Sequence, residues 1–208
     1  MKSKGYNPDY ILDIGAYHGE WTKSMINIFQ NSKYYLFEPN NHKELDLFRN
    51  NENTFVYNVL LNDKIKIVEC FSNGTTGDSF FKENTTFYNN IDSIKKETIS
   101  LDKIIDRDNI LQNAKNIFIK IDCQGAEIPI LKGSDKILEK TDFILIEMPF
   151  FGKYNKNVPN FLEHIQFMDN IGFIPFDIID THHCNNFKIQ IDMLFINKNH
   201  QFNKEVIH

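Results

Sequence analysis

Three acids stand where apolar runs stop: Glu38 after residues 34–37, Asp122 after 117–121, and Glu147 after 143–146. A fourth, Asp13, lies in the apolar run 10–14. Short apolar runs of this kind are buried strands. A carboxylate at such a strand's end stands at the carboxyl edge of a sheet, where open α/β folds bind ligands and carry out chemistry. Carboxylates in that place can hold ribose hydroxyls, orient an acceptor hydroxyl or take its proton. The richest stretch is Ile119-Lys120-Ile121-Asp122-Cys123-Gln124-Gly125-Ala126-Glu127, in which a strand, an acid, a glycine turn and a second acid follow one another.

Gly15 and Gly19 bracket the turn after the first strand, with Ala16 and His18 between them. Glycines there let a backbone approach a ligand closely. The spacing is neither Gly-x-Gly-x-x-Gly nor a phosphate loop, so neither a dinucleotide nor a nucleotide triphosphate is indicated. Asp13 just before the turn suits a cofactor carrying an ammonium group, and Glu38 lies at the spacing of a ribose-binding acid. Together Asp13, Gly15, Gly19 and Glu38 favour S-adenosylmethionine over NAD. Asp122, Glu127, Glu147 and His18 are then the candidates for the transfer chemistry, Asp122 first because its strand ends nearest the reacting centre. The plainer alternative for Glu127 is an acid stabilised by the helix it opens. His182, His183 and Cys184 invite a metal reading, but neighbours in an extended segment point to opposite sides, and the expectation is a surface loop with no metal.

The elements that must position these groups read as β-α-β-α-β over the first part: strands at 10–14, 34–37 and 55–61, helices at 21–29 and 42–49. That rhythm predicts a parallel sheet. An exposed strand at 65–71 follows, then a polar segment, 72–90, containing Phe80, Phe81, Phe87 and Tyr88; it reads as a lid over bound ligand or as a satellite core. Strand 117–121, a helix at 128–138, strand 143–146 and a helix at 161–170 come next. Strands 173–179 and 189–196, separated by polar 180–186, read as an antiparallel pair.

A chain of 208 residues with 41% hydrophobic and 13% aromatic content is a folded globule, read as one domain over 1–208. A net charge of −5 counts against a nucleic-acid partner. The three cysteines, Cys70, Cys123 and Cys184, form no disulfide framework, and no run is long enough to span a membrane, so a reduced, cytoplasmic setting is expected.

Ile11-Leu12-Asp13-Ile14-Gly15-Ala16, Phe37-Glu38-Pro39-Asn40, Ser100-Leu101-Asp102, Lys120 to Gly133 and Ile191-Asp192-Met193-Leu194-Phe195 recur in this order and spacing in one family. Over about 10–197 the chain resembles the FkbM-type methyltransferases. The resemblance implies an α/β, Rossmann-like class I methyltransferase fold, a mostly parallel sheet with a C-terminal antiparallel strand pair and helices on both faces. It also implies S-adenosylmethionine held by Asp13, Gly15, Ala16, Gly19, Glu38, Pro39, Asn58 and Asp122, and methylation of a hydroxyl on a glycan or small molecule. N- or carboxyl-methylation, or a binding module without catalysis, are the competing readings. Two departures stand out. Gln124 replaces the family's usual Glu, and the first strand begins without the N-terminal extension of many members, so the site is expected to be more open, or closed by 72–90 or by a second subunit in a homodimer.

Overall fold

The computed structural model describes residues 1–72, 77–81, 91–111, 113–152 and 155–204. Its main sheet has seven strands in the order β3-β2-β1-β7-β8-β10-β9. These are β1 (Tyr10–Ile14), β2 (Lys33–Phe37), β3 (Thr54–Tyr57), β7 (Ile117–Ile121), β8 (Thr141–Pro149), β9 (Phe173–Cys184) and β10 (Phe187–Asn197). β3, β2, β1, β7 and β8 run parallel, and β10 pairs antiparallel with both β8 and β9. A second sheet of three strands, β4 (Leu60–Leu61), β5 (Lys66–Phe71) and β6 (Ser93–Ile99), has β6 in the middle.

The central strands β1, β2 and β7 are mostly apolar and buried at nearly every position because both faces of the sheet are covered. Leu12, Ile14, Tyr35, Phe37, Ile119 and Ile121 face one core with α3 (Leu101–Asp108), α4 (Glu127–Lys132), α5 (Asp135–Leu138) and α6 (Phe161–Asn170). Ile11, Tyr34, Leu36 and Phe118 face the other, with α1 (Glu20–Ile28) and α2 (Asp46–Arg49), through Met25, Phe29 and Phe48. Side chains alternate across a strand, so each strand feeds both cores. The fold is the expected one: a mostly parallel sheet, helices on both faces and an antiparallel pair at the end. Among the described residues no helix is long and apolar enough to cross a membrane.

Several expected elements are redrawn. The strand read over 55–61 is two: Tyr57 ends β3, and Leu60 and Leu61 pair instead with Thr98 and Ile99 of the second sheet. The helix read over 128–138 breaks at Gly133, where an added Cβ would lie 2.5 Å from the carbonyl oxygen of Asn62. β6 and α3 were not legible as elements. The polar stretch 180–186 is not a loop. β9 continues to Cys184, and the hairpin turns on Asn185 and Asn186 alone, both left-handed at φ 48° and 66°, the geometry of a two-residue primed turn. His182 and His183 are therefore strand residues. Most of the 72–90 segment, including Phe87 and Tyr88, lies outside the described residues.

Candidate active site

The carboxyl tips of β1, β2 and β7 are tied together by backbone bonds. Gly15 N–H donates to Phe37 O at 2.9 Å, Asp122 N–H to Ile14 O at 3.0 Å, and Glu38 N–H to Tyr57 O at 3.0 Å. Gly15 is required there: its φ is +77°, and a Cβ would fall 1.9 Å from the Asp122 carbonyl oxygen. Gly19, at φ +79°, opens α1, and its missing Cβ leaves room for the Phe48 ring, 2.3 Å from where it would stand.

Between these tips lies a cleft of about 710 Å³, open solvent at its mouth included. Gly15, Tyr17, Glu38, Pro39, Asn40 and Asp122 line it, over an apolar floor that includes Ile14, Phe37 and Ile130. Asp78, Ser79 and Phe80 form part of its wall. Ser79 Oγ donates to Gln124 O at 3.1 Å, and Asn40 Nδ2 donates to Asp78 Oδ2 at 3.0 Å, which fastens the described part of the 72–90 segment to the cleft.

Glu38 is buried, and each of its oxygens accepts one backbone N–H: Tyr17 at 3.0 Å and Asn40 at 2.9 Å. Burial raises its pKa, and those two bonds pull the other way. A carboxylate has about four acceptor positions, so two remain for ligand hydroxyls.

Asp13 is not at the cleft. It is buried, Thr22 Oγ1 donates to its Oδ2 at 2.6 Å, and Lys120 Nζ lies 3.3 Å from its Oδ1. An ammonium from the protein itself thus occupies the place proposed for one from the cofactor. Lys120 also donates to Gly15 O at 3.1 Å and sits 3.5 Å from Asp122 Oδ2. Burial alone would lower its pKa, but the Asp13 and Asp122 carboxylates outweigh this and hold it above the usual lysine range. Lys120 was missed as a site residue, although a lysine in the middle of an otherwise apolar strand was a signal that a buried anion awaited it.

Ala16 and Gly19 lie in the turn, outside the cleft lining, and Ala16 packs into the core under α1. Asn58 sits behind the Glu38 backbone, donating through Nδ2 to Glu38 O and Asn40 O at 3.2 and 3.0 Å. His18 is drawn away from the cleft, stacked on Tyr17 at 3.7 Å between ring centroids and 3.8 Å from Glu44. Glu127 is buried behind its turn, where one oxygen accepts Cys123 N–H at 2.9 Å and Gly125 N–H at 3.1 Å. It holds the turn's shape, and burial pushes its pKa up to about 7.

Glu147 is brought beside Asp122 by Gln124, whose Nε2 donates to Glu147 Oε2 at 2.7 Å and to Asp122 Oδ1 at 3.2 Å. An ionised Glu at 124 could not donate, so the departure from the family pattern joins the two acids instead of disabling them. Burial, and then the charges of Asp122, Glu127 and Asp192, hold the Glu147 carboxyl well above the ordinary range. Asp192, directly opposite Glu147 across β10, is raised by its own burial. The cleft therefore has a half-exposed carboxylate, Asp122, linked through Gln124 to Glu147, whose pKa burial shifts upward.

A family model described as the methyltransferase FkbM domain matches residues 13–175. Among solved structures, the methyltransferase FkbM from Methylobacillus flagellatus KT is similar with a TM-score of 0.55 and 16% identity, covering 89% of this chain and 43% of that one. The chain thus spans less than half the length of that protein. The 1,6-didemethyltoxoflavin-N1-methyltransferase of Burkholderia thailandensis, bound to 1,6-didemethyltoxoflavin and S-adenosylhomocysteine, gives 0.54 and 10%, covering 95% of this chain and 75% of that one. The Methanococcus jannaschii fibrillarin pre-rRNA processing protein gives 0.51 and 13%, covering 93% and 67%. At these identities the likeness is one of fold. No curated protein matches the chain.

Proposed function

This chain belongs to the FkbM-domain methyltransferases, and we propose that its acceptor atom is a hydroxyl oxygen, carried on a sugar, a glycan or another small molecule. It is an S-adenosylmethionine-dependent methyltransferase, and we read residues 1–208 as one methyltransferase domain that works in the cytoplasm. The observation that carries the reading is the meeting of the Gly15–Tyr17 turn, Glu38 and Asp122 around one cleft.

The residues present fit the cofactor. Glu38 keeps two acceptor positions for ribose hydroxyls, Gly15 lets the turn come close, and Ile14, Phe37 and Phe80 offer apolar surface to a base. Bound there, S-adenosylmethionine supplies an electrophilic methyl group. Asp122, half-exposed at the mouth, orients the acceptor hydroxyl and takes its proton, a task for a carboxylate within hydrogen-bond reach. Gln124 fixes that carboxylate from one side and Lys120 from the other. Asp13 acts through Lys120 and the start of α1, not by touching the ligand.

Isothermal titration with S-adenosylmethionine, followed by a labelled-methyl screen over hydroxyl-bearing glycans and small molecules, tests the proposal. Mass analysis locates the new methyl group. Transfer to nitrogen or carboxylate acceptors alone would overturn the hydroxyl assignment, and absence of cofactor binding would overturn the site.

A further inference from the structure

We propose that Glu147, His182 and Asp192 form a binding site for one divalent transition-metal ion of the Mn²⁺ class, at the acceptor side of the cleft. The proposal rests on the methyltransferase reading only for what the ion would serve; the site itself stands on the side chains of three adjacent strands.

β8, β10 and β9 each contribute one donor to the same sheet face. Glu147 and Asp192 are register partners in an antiparallel pair, so their side chains leave the sheet together. Like charges directly opposite each other destabilise a sheet. Among the described residues no lysine or arginine comes within 4.0 Å of either acid; the nearby basic group is His182, its Nε2 3.9 Å from Glu147 Oε1 and 3.7 Å from Asp192 Oδ1. One ligand atom from each of the three lies within 4.8 Å of the others.

Three features make this more than an acidic patch. The set contains an imidazole nitrogen, which with two carboxylates suits Mn²⁺ or Zn²⁺ better than Mg²⁺ or Ca²⁺. Gln124 occupies Glu147 Oε2, which leaves Oε1 turned toward the histidine. Neighbouring donors on such an ion stand roughly 3.0–3.5 Å apart, given bonds of about 2.0–2.2 Å. The two His182 separations, 3.9 and 3.7 Å, need less than about 1 Å of closure, which His182 can supply from the exposed edge strand. Three protein donors leave positions for water or for acceptor oxygens, and an ion there would lower the pKa of a hydroxyl that Asp122 receives.

The test is titration of chelator-treated full chain with MnCl₂, followed by electron paramagnetic resonance and calorimetry. One saturable ion per chain is expected, with affinity reduced 10–100-fold in His182→Ala and in Asp192→Asn. His183→Ala, one residue along the strand and on its other face, should bind like the unaltered chain. Circular dichroism melts check that the variants fold. No saturable Mn²⁺ binding, or affinity in His182→Ala and Asp192→Asn equal to that of the unaltered chain, overturns the site. S-adenosylmethionine is titrated into the same samples. Cofactor binding without Mn²⁺ binding sinks the cation site alone, whereas Mn²⁺ binding without cofactor binding upholds it and sinks the cofactor reading.

Discussion

At the β1–β2–β7 end of the sheet edge, the buried carboxylates find their partners inside the protein. Asp13 has Thr22 and Lys120, and Glu38 has two backbone N–H groups. At the β8–β10–β9 end, carboxylates face one another: Glu147 stands opposite Asp192, with a neutral amide and one half-exposed imidazole for company. The first end is finished before any ligand arrives, so it can hold a cofactor in a fixed pose. The second is left with charge that a proton, a cation or a polar acceptor must answer. Asp122 belongs to both, paired with Lys120 on one side and joined through Gln124 to Glu147 on the other. Substitutions at the first end should therefore strike stability or cofactor affinity, and those at the junction should strike turnover.

The largest effect is expected at the junction. Asp122→Asn keeps the shape and removes the carboxylate proposed as the base, and turnover should fall roughly 10²–10⁴-fold with cofactor affinity little changed. Near-normal turnover in a steady-state assay would show that deprotonation is not limiting. Next comes Lys120→Met, which leaves Asp13 buried with Thr22 as its remaining partner. A loss of about 3–5 kcal/mol in denaturant unfolding is expected, as for a broken buried ion pair. Adding Asp13→Asn should recover part of it, and a loss under about 1 kcal/mol would mean the pair is not what steadies this end.

Glu127 sharpens the contrast through pH. Its carboxyl titrates near 7 in the folded chain against an ordinary value of 4.5, so the folded state holds a proton that the unfolded state has already released. The stabilisation is full below pH 4.5 and is lost as pH rises through 7, about 3 kcal/mol in all. Glu127→Gln keeps an oxygen for the Cys123 and Gly125 N–H groups. Melting curves of the two proteins should diverge across pH 4.5–7 and run parallel above it; parallel curves throughout would refute the shift. The smallest effect is expected for Glu38→Ala, which should weaken S-adenosylmethionine binding by about 1.5–3 kcal/mol. Unchanged affinity by calorimetry would place the cofactor elsewhere.

Much of this edge was legible beforehand because strand tips announce themselves. An apolar run that stops at an acid has few places to go but a sheet edge, and Glu38, Pro39, Gly15 and Asp122 all line one cleft. The misplacements share a cause. Asp13 and Lys120 are far apart in sequence, and only the parallel pairing of β1 with β7, which sets Asp13 level with Lys120, makes them partners. His18 and Asn58 have the right chemistry near the right turn, but local packing on Tyr17 and hydrogen bonds behind Glu38 turn them elsewhere. The polar run around His182 looked like a loop because edge strands need not be apolar; the two-asparagine turn placed after it, not before, decides that it is sheet.

By itself the sequence determined which stretches are buried, that strands and helices alternate, and that Glu38 and Asp122 stand at strand ends, since these follow from local periodicity and from the cost of burying charge, though Glu147, read as a strand's end, lies inside β8. Tertiary structure alone decided which charges meet. Strand order and register bring Lys120 to Asp13, and set Glu147, Asp192 and His182 on one face, across separations no local pattern encodes. Charge interactions depend on distances of a few ångströms, and those distances are set by how the strands pair.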